Sequence, residues 1–346
     1  MDFQPDPVQS WGDAAGADLT PPAWLVRNVR SVWHWQWLQL MGGLGPADAQ
    51  GHYRRPAAGF TAVPPLPADA GTTGRYALIV GRSCPWAHRA WLVWSLRQLQ
   101  DTIELVVVEP DPRAGRWRFV QPFAGCSTLL ELYRRCGAAA GVRATVPLLV
   151  AKEPAAVVVG ESARLIELLN RWPSQASQAP DLEPPDQQAA TQRWRERLQG
   201  EVNDGVYRCG FARNQAAYDA AEAALFSCLE DLETQLTDGL PWLSGAAPSL
   251  ADVQLFPTLI RLELVYGPLF GVSRKPLWQL PALWRWRSRF HRLPGVAATC
   301  DAAAWRRDYF GALFPLQPSG IVPAGPELAT LVANWPGRDG YDPSPN

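Results

Sequence analysis

Paired cysteines are missing from this chain. Its six, Cys84, Cys126, Cys136, Cys209, Cys228 and Cys300, are scattered without the short spacings of a disulfide framework or a zinc site, which favours reduced thiols and argues against a structural metal. The four histidines lie far apart and add no ligand set. No block of Lys or Arg stands clear of acidic neighbours, and 32 basic residues against 33 acidic ones leave a net charge of −1. Nucleic acid is therefore not an expected partner. No run approaches the roughly 18 apolar residues of a membrane span; Ser31 to Leu40 is aromatic but interrupted by His34, Gln36 and Gln39. The start, Met1-Asp2-Phe3-Gln4-Pro5, has neither the basic region nor the apolar stretch of a signal peptide. A membrane is not an expected partner either, and a cytoplasmic location is the default.

What is present is a globular composition, 47% hydrophobic and 19% charged, with 33 prolines and 17 tryptophans. The prolines imply long irregular segments. Indole rings bury a large area, so many tryptophans belong to a core, while others can wall a site for a flat ligand. At 346 residues the chain can hold two domains, since one domain usually takes about 100 to 200 residues.

Residues 1–74 are rich in Pro, Gly and Ala around one amphipathic aromatic stretch, Trp24 to Leu40, and read as an extension packed on the body without a separate fold. From Arg75 the pattern sharpens. Tyr76 to Val80 reads as a buried strand, His88 to Gln100 as a helix and Ile103 to Val108 as a second strand, the opening of a parallel βαβ unit. After a loop holding Trp117, Ser127 to Cys136 has helical character. Ala144 to Val150 and Ala156 to Val159 follow as strands, and Glu161-Ser162 begins a helix with Leu165, Ile166 and Leu169 on one face. The order βαβαββα is that of a thioredoxin-like domain over residues 75–171. Residues 172–188, with four prolines and little apolar content, read as a linker. Beyond it Leu225, Leu229, Leu232 and Leu236 draw an apolar stripe, and Ser249-Leu250-Ala251-Asp252 is a capping box. An all-helical domain is expected over 189–319, and an irregular tail over 320–346.

Cys84 follows a strand and precedes a helix, where unpaired backbone N–H groups and the helix dipole favour an anion. Such positions bring a thiol from about 8.5 to roughly 3.5–7.5, so a lowered pKa is expected. Pro85 suits the first helical turn. Because Ala87 stands where a Cys-x-x-Cys pair would have its second sulfur, a disulfide on Cys84 must be resolved by an outside thiol, which points to glutathione. Thr145-Val146-Pro147 fits a cis proline whose preceding backbone pairs with a peptide ligand, or a trans proline in a loop or edge strand. Glu161-Ser162 fits a seat for α-amino and α-carboxylate groups, or an ordinary helix cap.

Together these residues resemble the glutathione transferase superfamily. Cys84-Pro85-Trp86-Ala87-His88-Arg89 is similar to the motif of its Xi class, the glutathionyl-hydroquinone reductases. Gly115-Arg116-Trp117-Arg118-Phe119, the run Asn203 to Ala212, Leu259-Ile260-Arg261 and the ending Pro318 to Pro326 extend the likeness over about residues 75 to 326. The resemblance implies a catalytic Cys84 that takes glutathione from a glutathionyl-hydroquinone and passes it to a second glutathione. It implies glutathione binding by Trp117, Val146, Pro147, Glu161 and Ser162, and a quinol site of Trp86, Tyr207, Tyr309 and Arg261. It also implies a homodimer. Each aromatic has a plain core role as its alternative, and Arg261 has a structural salt bridge. Two departures stand out: Tyr309-Phe310 replaces the family's two adjacent tyrosines, and Pro257 falls inside a helix, where it should kink the axis. Readings that stay open are an Omega-like thioltransferase or dehydroascorbate reductase, a conjugating transferase, and a non-catalytic carrier of aromatic ligands.

Overall fold

The computed structural model describes residues 20–62, 65–111, 115–313 and 319–335. The chain start and Pro318 of the closing motif lie outside the described residues. Where an extension without its own fold was expected, a 22-residue helix, α1 (Ala23–Leu44), forms. No proline falls between Pro22 and Pro46, so nothing interrupts the backbone ladder there. Met41 near its end is fully buried, whereas Trp24, Trp33 and Trp35 stand 58–61% exposed. The irregular stretch after α1 is pinned to the body: Arg213 donates to the Gly45 carbonyl, Tyr53 packs edge-on to Phe211, and Phe60 packs edge-on to Tyr133.

The central strand β1 (Tyr76–Gly81) is buried at all six positions, as a continuous apolar run in a sheet covered on both faces must be. Helix α2 (Pro85–Leu96) returns the chain to β2 (Ile103–Asp111), which pairs in parallel with β1. The segment holding Trp117 is not a loop. Arg116-Trp117-Arg118-Phe119 alternates charged and aromatic residues, a period of two, and forms β3 (Arg116–Phe123). With β4 (Cys126–Thr128) it adds an antiparallel hairpin outside β2. Helix α3 (Leu129–Arg135) leads to β5 (Leu148–Ala151), antiparallel to β1, then to β6 (Ala156–Val159) and α4 (Ser162–Asn170). The sheet order is β4-β3-β2-β1-β5-β6, a thioredoxin-like domain with two strands more than the sequence pattern showed. On α4, Leu165, Ile166 and Leu169 are all fully buried.

Residues 172–188 hide two anchors among their polar residues. Trp172 is buried edge-on against Tyr76, and Leu182 is buried with its carbonyl accepting from Leu250 N–H. The helical domain holds α5 (Gln188–Leu198), α6 (Gly205–Gly210), α7 (Gln215–Thr237), α8 (Leu250–Leu259), α9 (Gly267–Phe270), α10 (Pro281–His291) and α11 (Ala302–Asp308). Three π-helical turns, Gln199–Asn203, Leu262–Tyr266 and Tyr309–Leu313, interrupt it. Leu225, Leu229 and Leu232 line the inner face of α7. The described part of the tail is not wholly irregular: one turn, α12 (Leu328–Leu331), buries Leu331, and Trp284 Nε1 donates to Ala333 O.

The capping box anticipated at Ser249 is a hub. Asp252, fully buried, accepts from Ser249 N–H and Oγ, from Leu243 N–H and from Trp286 Nε1 at 2.7–3.1 Å. Asp252→Ala would leave these donors buried without an acceptor, each at about 1–3 kcal/mol. The variant should lose roughly 3 kcal/mol or more of stability, read as a lowered guanidinium midpoint; an unchanged midpoint contradicts the role assigned to Asp252.

Candidate functional site

The site grows from the end of β1. Gly81 closes the strand and Cys84 caps α2 in extended conformation, with Pro85 in the first turn. A Cβ at Gly81 would come within 2.6 Å of two ring atoms of Trp117, so glycine is what lets β3 lay that indole against the strand end. The Val146–Pro147 peptide is cis rather than trans. Cys84 Sγ lies 3.6 Å from Val146 O, the thiol donating to the carbonyl.

Around Cys84 opens a cavity of about 400 Å³, within the usual range for small-molecule sites. Three parts of the chain line it: the N-terminal extension through Tyr53 and Arg55, the thioredoxin-like domain through Cys84, Trp86, Trp117, Val146, Pro147 and Ser162, and the helical domain through Tyr207, Phe211 and Tyr309. Tyr207 and Tyr309 share a hydrogen bond of 2.6 Å between their hydroxyls. Trp86 stacks on Tyr207 with ring centroids 5.9 Å apart, and the Arg55 guanidinium stands 3.5 Å from the Trp86 centroid. Arg55, Arg116 and Arg143 line the cavity, and no carboxylate does among the described residues. The arrangement can hold an anionic peptide beside an aromatic ring, with one sulfur nucleophile between them.

Electrostatics around Cys84 differ from the expectation of a lowered pKa. Burial pushes the Cys84 thiol up. The N–H groups of Ala87 and Trp86 and the charges of Arg261 and Arg55 pull it down but do not win. The helix N-terminus acts as anticipated; desolvation is the larger effect. Behind Cys84, Arg261 Nη1 donates to His88 Nδ1 at 2.9 Å. Burial, with the Arg261 charge second, holds His88 well below its ordinary value. The ring is therefore neutral and carries its proton on Nε2, which donates to Thr299 Oγ1; that hydroxyl donates to Val296 O.

Family models match both halves of the chain: "Glutathione S-transferase, N-terminal domain" over residues 83–172 and "Glutathione S-transferase, C-terminal domain" over 215–289. The glutathionyl-hydroquinone reductase PcpF of Sphingobium chlorophenolicum is 32% identical over 264 residues, 74% of this chain and 84% of that protein. The glutathionyl-hydroquinone reductase YqjG of Escherichia coli K12 is 30% identical over 316 residues, covering 86% and 94%. Among solved structures, the glutathione-S-transferase Xi from Phanerochaete chrysosporium superposes with a TM-score of 0.75 at 30% identity, covering 81% of this chain and 94% of that one. The chain belongs to the glutathione transferase superfamily, in its Xi class. As such it is a glutathione-dependent oxidoreductase with glutathione as co-substrate.

Of the residues that the Xi resemblance brought forward, Cys84, Trp86, Trp117, Val146, Pro147, Ser162, Tyr207 and Tyr309 line one cavity. Two do not. Glu161 caps α4, its carboxylate accepting from Arg164 N–H. Arg261 is fully buried behind Cys84 and faces neither the cavity nor a carboxylate: its donors go to His88, Pro257 O and Arg82 O, and Trp305 lies under its guanidinium at 4.0 Å. Phe310 is buried too and does not line the cavity. Sequence reasoning missed Tyr53, Arg55 and Tyr266. The first two sit in a Pro- and Gly-rich stretch with no periodicity to mark them, although the pair of arginines at 54 and 55 was a visible departure from it. Tyr266 packs edge-on to both Tyr207 and Tyr309. It lies on one π-helical turn and Tyr309 on another, a device that re-aims side chains within helices.

A thiol raised by burial is mostly protonated where a free cysteine, near 8.5, is already half ionised. Alkylation of Cys84 by iodoacetamide should keep accelerating with pH beyond that value. Arg55→Ala removes one of the charges that pull the pKa down and should move the midpoint further up. A plateau below the free-cysteine range, or no response to Arg55→Ala, contradicts this balance.

Proposed function

We propose that this chain reduces S-glutathionyl-hydroquinones to hydroquinones through a Cys84–glutathione mixed disulfide. The observation that carries the reading is that one unpaired cysteine shares a cavity with the Tyr207–Tyr309 hydroxyl pair and the Trp86 ring. The Cys84 thiolate attacks the sulfur of the conjugate. The bond from sulfur to the ring breaks with its electron pair going to the ring, which takes up a proton and leaves as hydroquinone. A second glutathione thiolate then attacks the glutathione sulfur of the mixed disulfide, giving oxidised glutathione and free Cys84. Two glutathione sulfurs are oxidised and one ring carbon is reduced.

Each neighbour has a part in this. Burial pushes Tyr207 and Tyr309 well above the ordinary phenol value, so both stay protonated at any physiological pH, and the hydroxyl that accepts from the other keeps its own proton to donate to a quinol oxygen. Trp86 and Tyr207 offer aromatic faces to the ring. Arg55 supplies positive charge as the departing ring gains electron density. Val146 and Pro147 would carry the cysteinyl backbone of glutathione, Ser162 and the α4 N-terminus its γ-glutamyl carboxylate, and Trp117 its flank. Names of relatives point the same way: PcpF and YqjG are both called glutathionyl-hydroquinone reductases. A reducing, cytoplasmic compartment fits six free cysteines, and the likeness to the family extends the reading to a homodimer.

The test is glutathione-dependent reduction of a glutathionyl-hydroquinone by the wild type and by Cys84→Ala, with mass spectrometry for a glutathione adduct. Wild-type turnover, an adduct on Cys84 and loss of at least about a thousandfold in the variant, the scale on which a covalent nucleophile acts, are expected. Turnover that survives Cys84→Ala contradicts the mechanism.

A further inference from the structure

Helix α1 is unlike the rest of the molecule. Its contact with the body is confined to the last two turns, where Trp37, Leu38 and Leu44 are part-buried and Met41 fully so; the Arg213 guanidinium packs 4.8 Å from the Trp37 centroid. The turns before them stand in solvent, apart from a part-buried Val26. Leu25, Val29, Val32, Trp33 and Leu40, all 37–61% exposed, recur at spacings that place them on one face of a helix. Arg27, Arg30 and His34 form a second row on the far side, and Trp24 and Trp35 stand at a boundary between the two. From Ala23 to Leu44 there is no Asp or Glu.

We propose that α1 is an interfacial helix that seats the protein on an anionic lipid bilayer. An apolar face, exposed indoles and arginines without acidic partners are the features by which a helix lies in a headgroup layer rather than crosses it. No helix of the described residues is long and apolar enough to cross. The charge pattern selects the lipid over a second copy of the chain. A two-fold contact through the apolar row would leave Arg27 and Arg30, on the far side of each helix, unanswered, since neither α1 carries a carboxylate. Anionic headgroups answer both. Indoles suit the same layer, since the ring is apolar and its N–H stays hydrated. The residues that hold α1 to the body are not those of the exposed apolar row, which is left free to bind. Leu44 at the end of α1 lines the Cys84 cavity, but neither the exposed apolar row nor the arginines do, and the inference stands apart from the reaction proposed above.

The test is co-sedimentation of the full chain with vesicles of phosphatidylcholine alone and of phosphatidylcholine with phosphatidylglycerol, for the wild type, Val29→Glu/Trp33→Glu and Arg27→Glu/Arg30→Glu. Sedimentation velocity of the free proteins is run alongside. The wild type should bind the anionic vesicles at least tenfold better than the neutral ones, with binding weakened by salt. Both double variants should lose it while keeping wild-type turnover, which shows that they fold. Wild-type binding that is absent, indifferent to lipid charge or unmoved by the variants overturns the proposal. So does self-association that depends on Val29 and Trp33 without vesicle binding, which would assign the face to a second copy.

Discussion

A guanidinium with no solvent around it must find acceptors, and Arg261 finds them on both sides of Cys84. It reaches Arg82 O, two residues before Cys84, and His88 Nδ1, four residues after it, while Pro257 O, on α8 just before it, takes a further bond. Burying a cation costs several kcal/mol unless such partners are met. The helical domain can therefore sit on the thioredoxin-like domain only where α8 and the start of α2 share this charge. The same contact places positive charge behind the thiol and fixes the tautomer of His88. Asn203 reinforces the helical side by donating to Thr258 Oγ1 and Gln254 O.

With that junction set, the cavity follows from short-range rules. Gly81 admits the Trp117 ring, the Val146 carbonyl accepts from the Cys84 thiol, and two π-helical turns aim Tyr266 and Tyr309 at Tyr207. The N-terminal extension completes one wall, because Arg55 lies on Trp86 and also stands 3.6 Å from Asp204. The cavity is thus electropositive and aromatic at once. A thiol in it is held mostly protonated by burial in the free protein, and the energy needed to ionise it is offset only in part by nearby charges.

Where the sequence was legible, one local pattern decided the outcome. The apolar run Tyr76 to Val80 forms a buried strand, Ser249 with Asp252 caps a helix, and Cys84-Pro85 stands at a strand-to-helix turn, each as its local pattern indicated. Where it was not, the deciding contact was distant. Nothing near Arg261 announces that its partners lie more than 170 residues earlier, and its charge drew a functional reading that burial overrules. Arg55 and Tyr53 sit in a stretch without periodicity and matter only because the fold returns them to Trp86 and Tyr207. The β3 and β4 hairpin was hidden for a smaller reason: glycine, proline and arginine around Trp117 outweighed a short alternation of period two. The lowered thiol pKa failed on magnitude, since the helix terminus is visible in a sequence and the depth of burial is not.

The account rests on the claim that the cavity recognises both the peptide and the ring of one substrate. Stacking on the aromatic faces is worth about 0.5–1.5 kcal/mol and a hydroxyl donor about as much again, which together give roughly a hundredfold in rate. The direct measurement is the ratio of kcat/KM for a glutathionyl-hydroquinone to that for a small mixed disulfide of glutathione, which offers the same peptide without the ring. A ratio of about a hundred or more, falling about tenfold in Tyr309→Phe, is what the account predicts. Equal rates for the two substrates would contradict it and leave Cys84 as the nucleophile of a general thioltransferase.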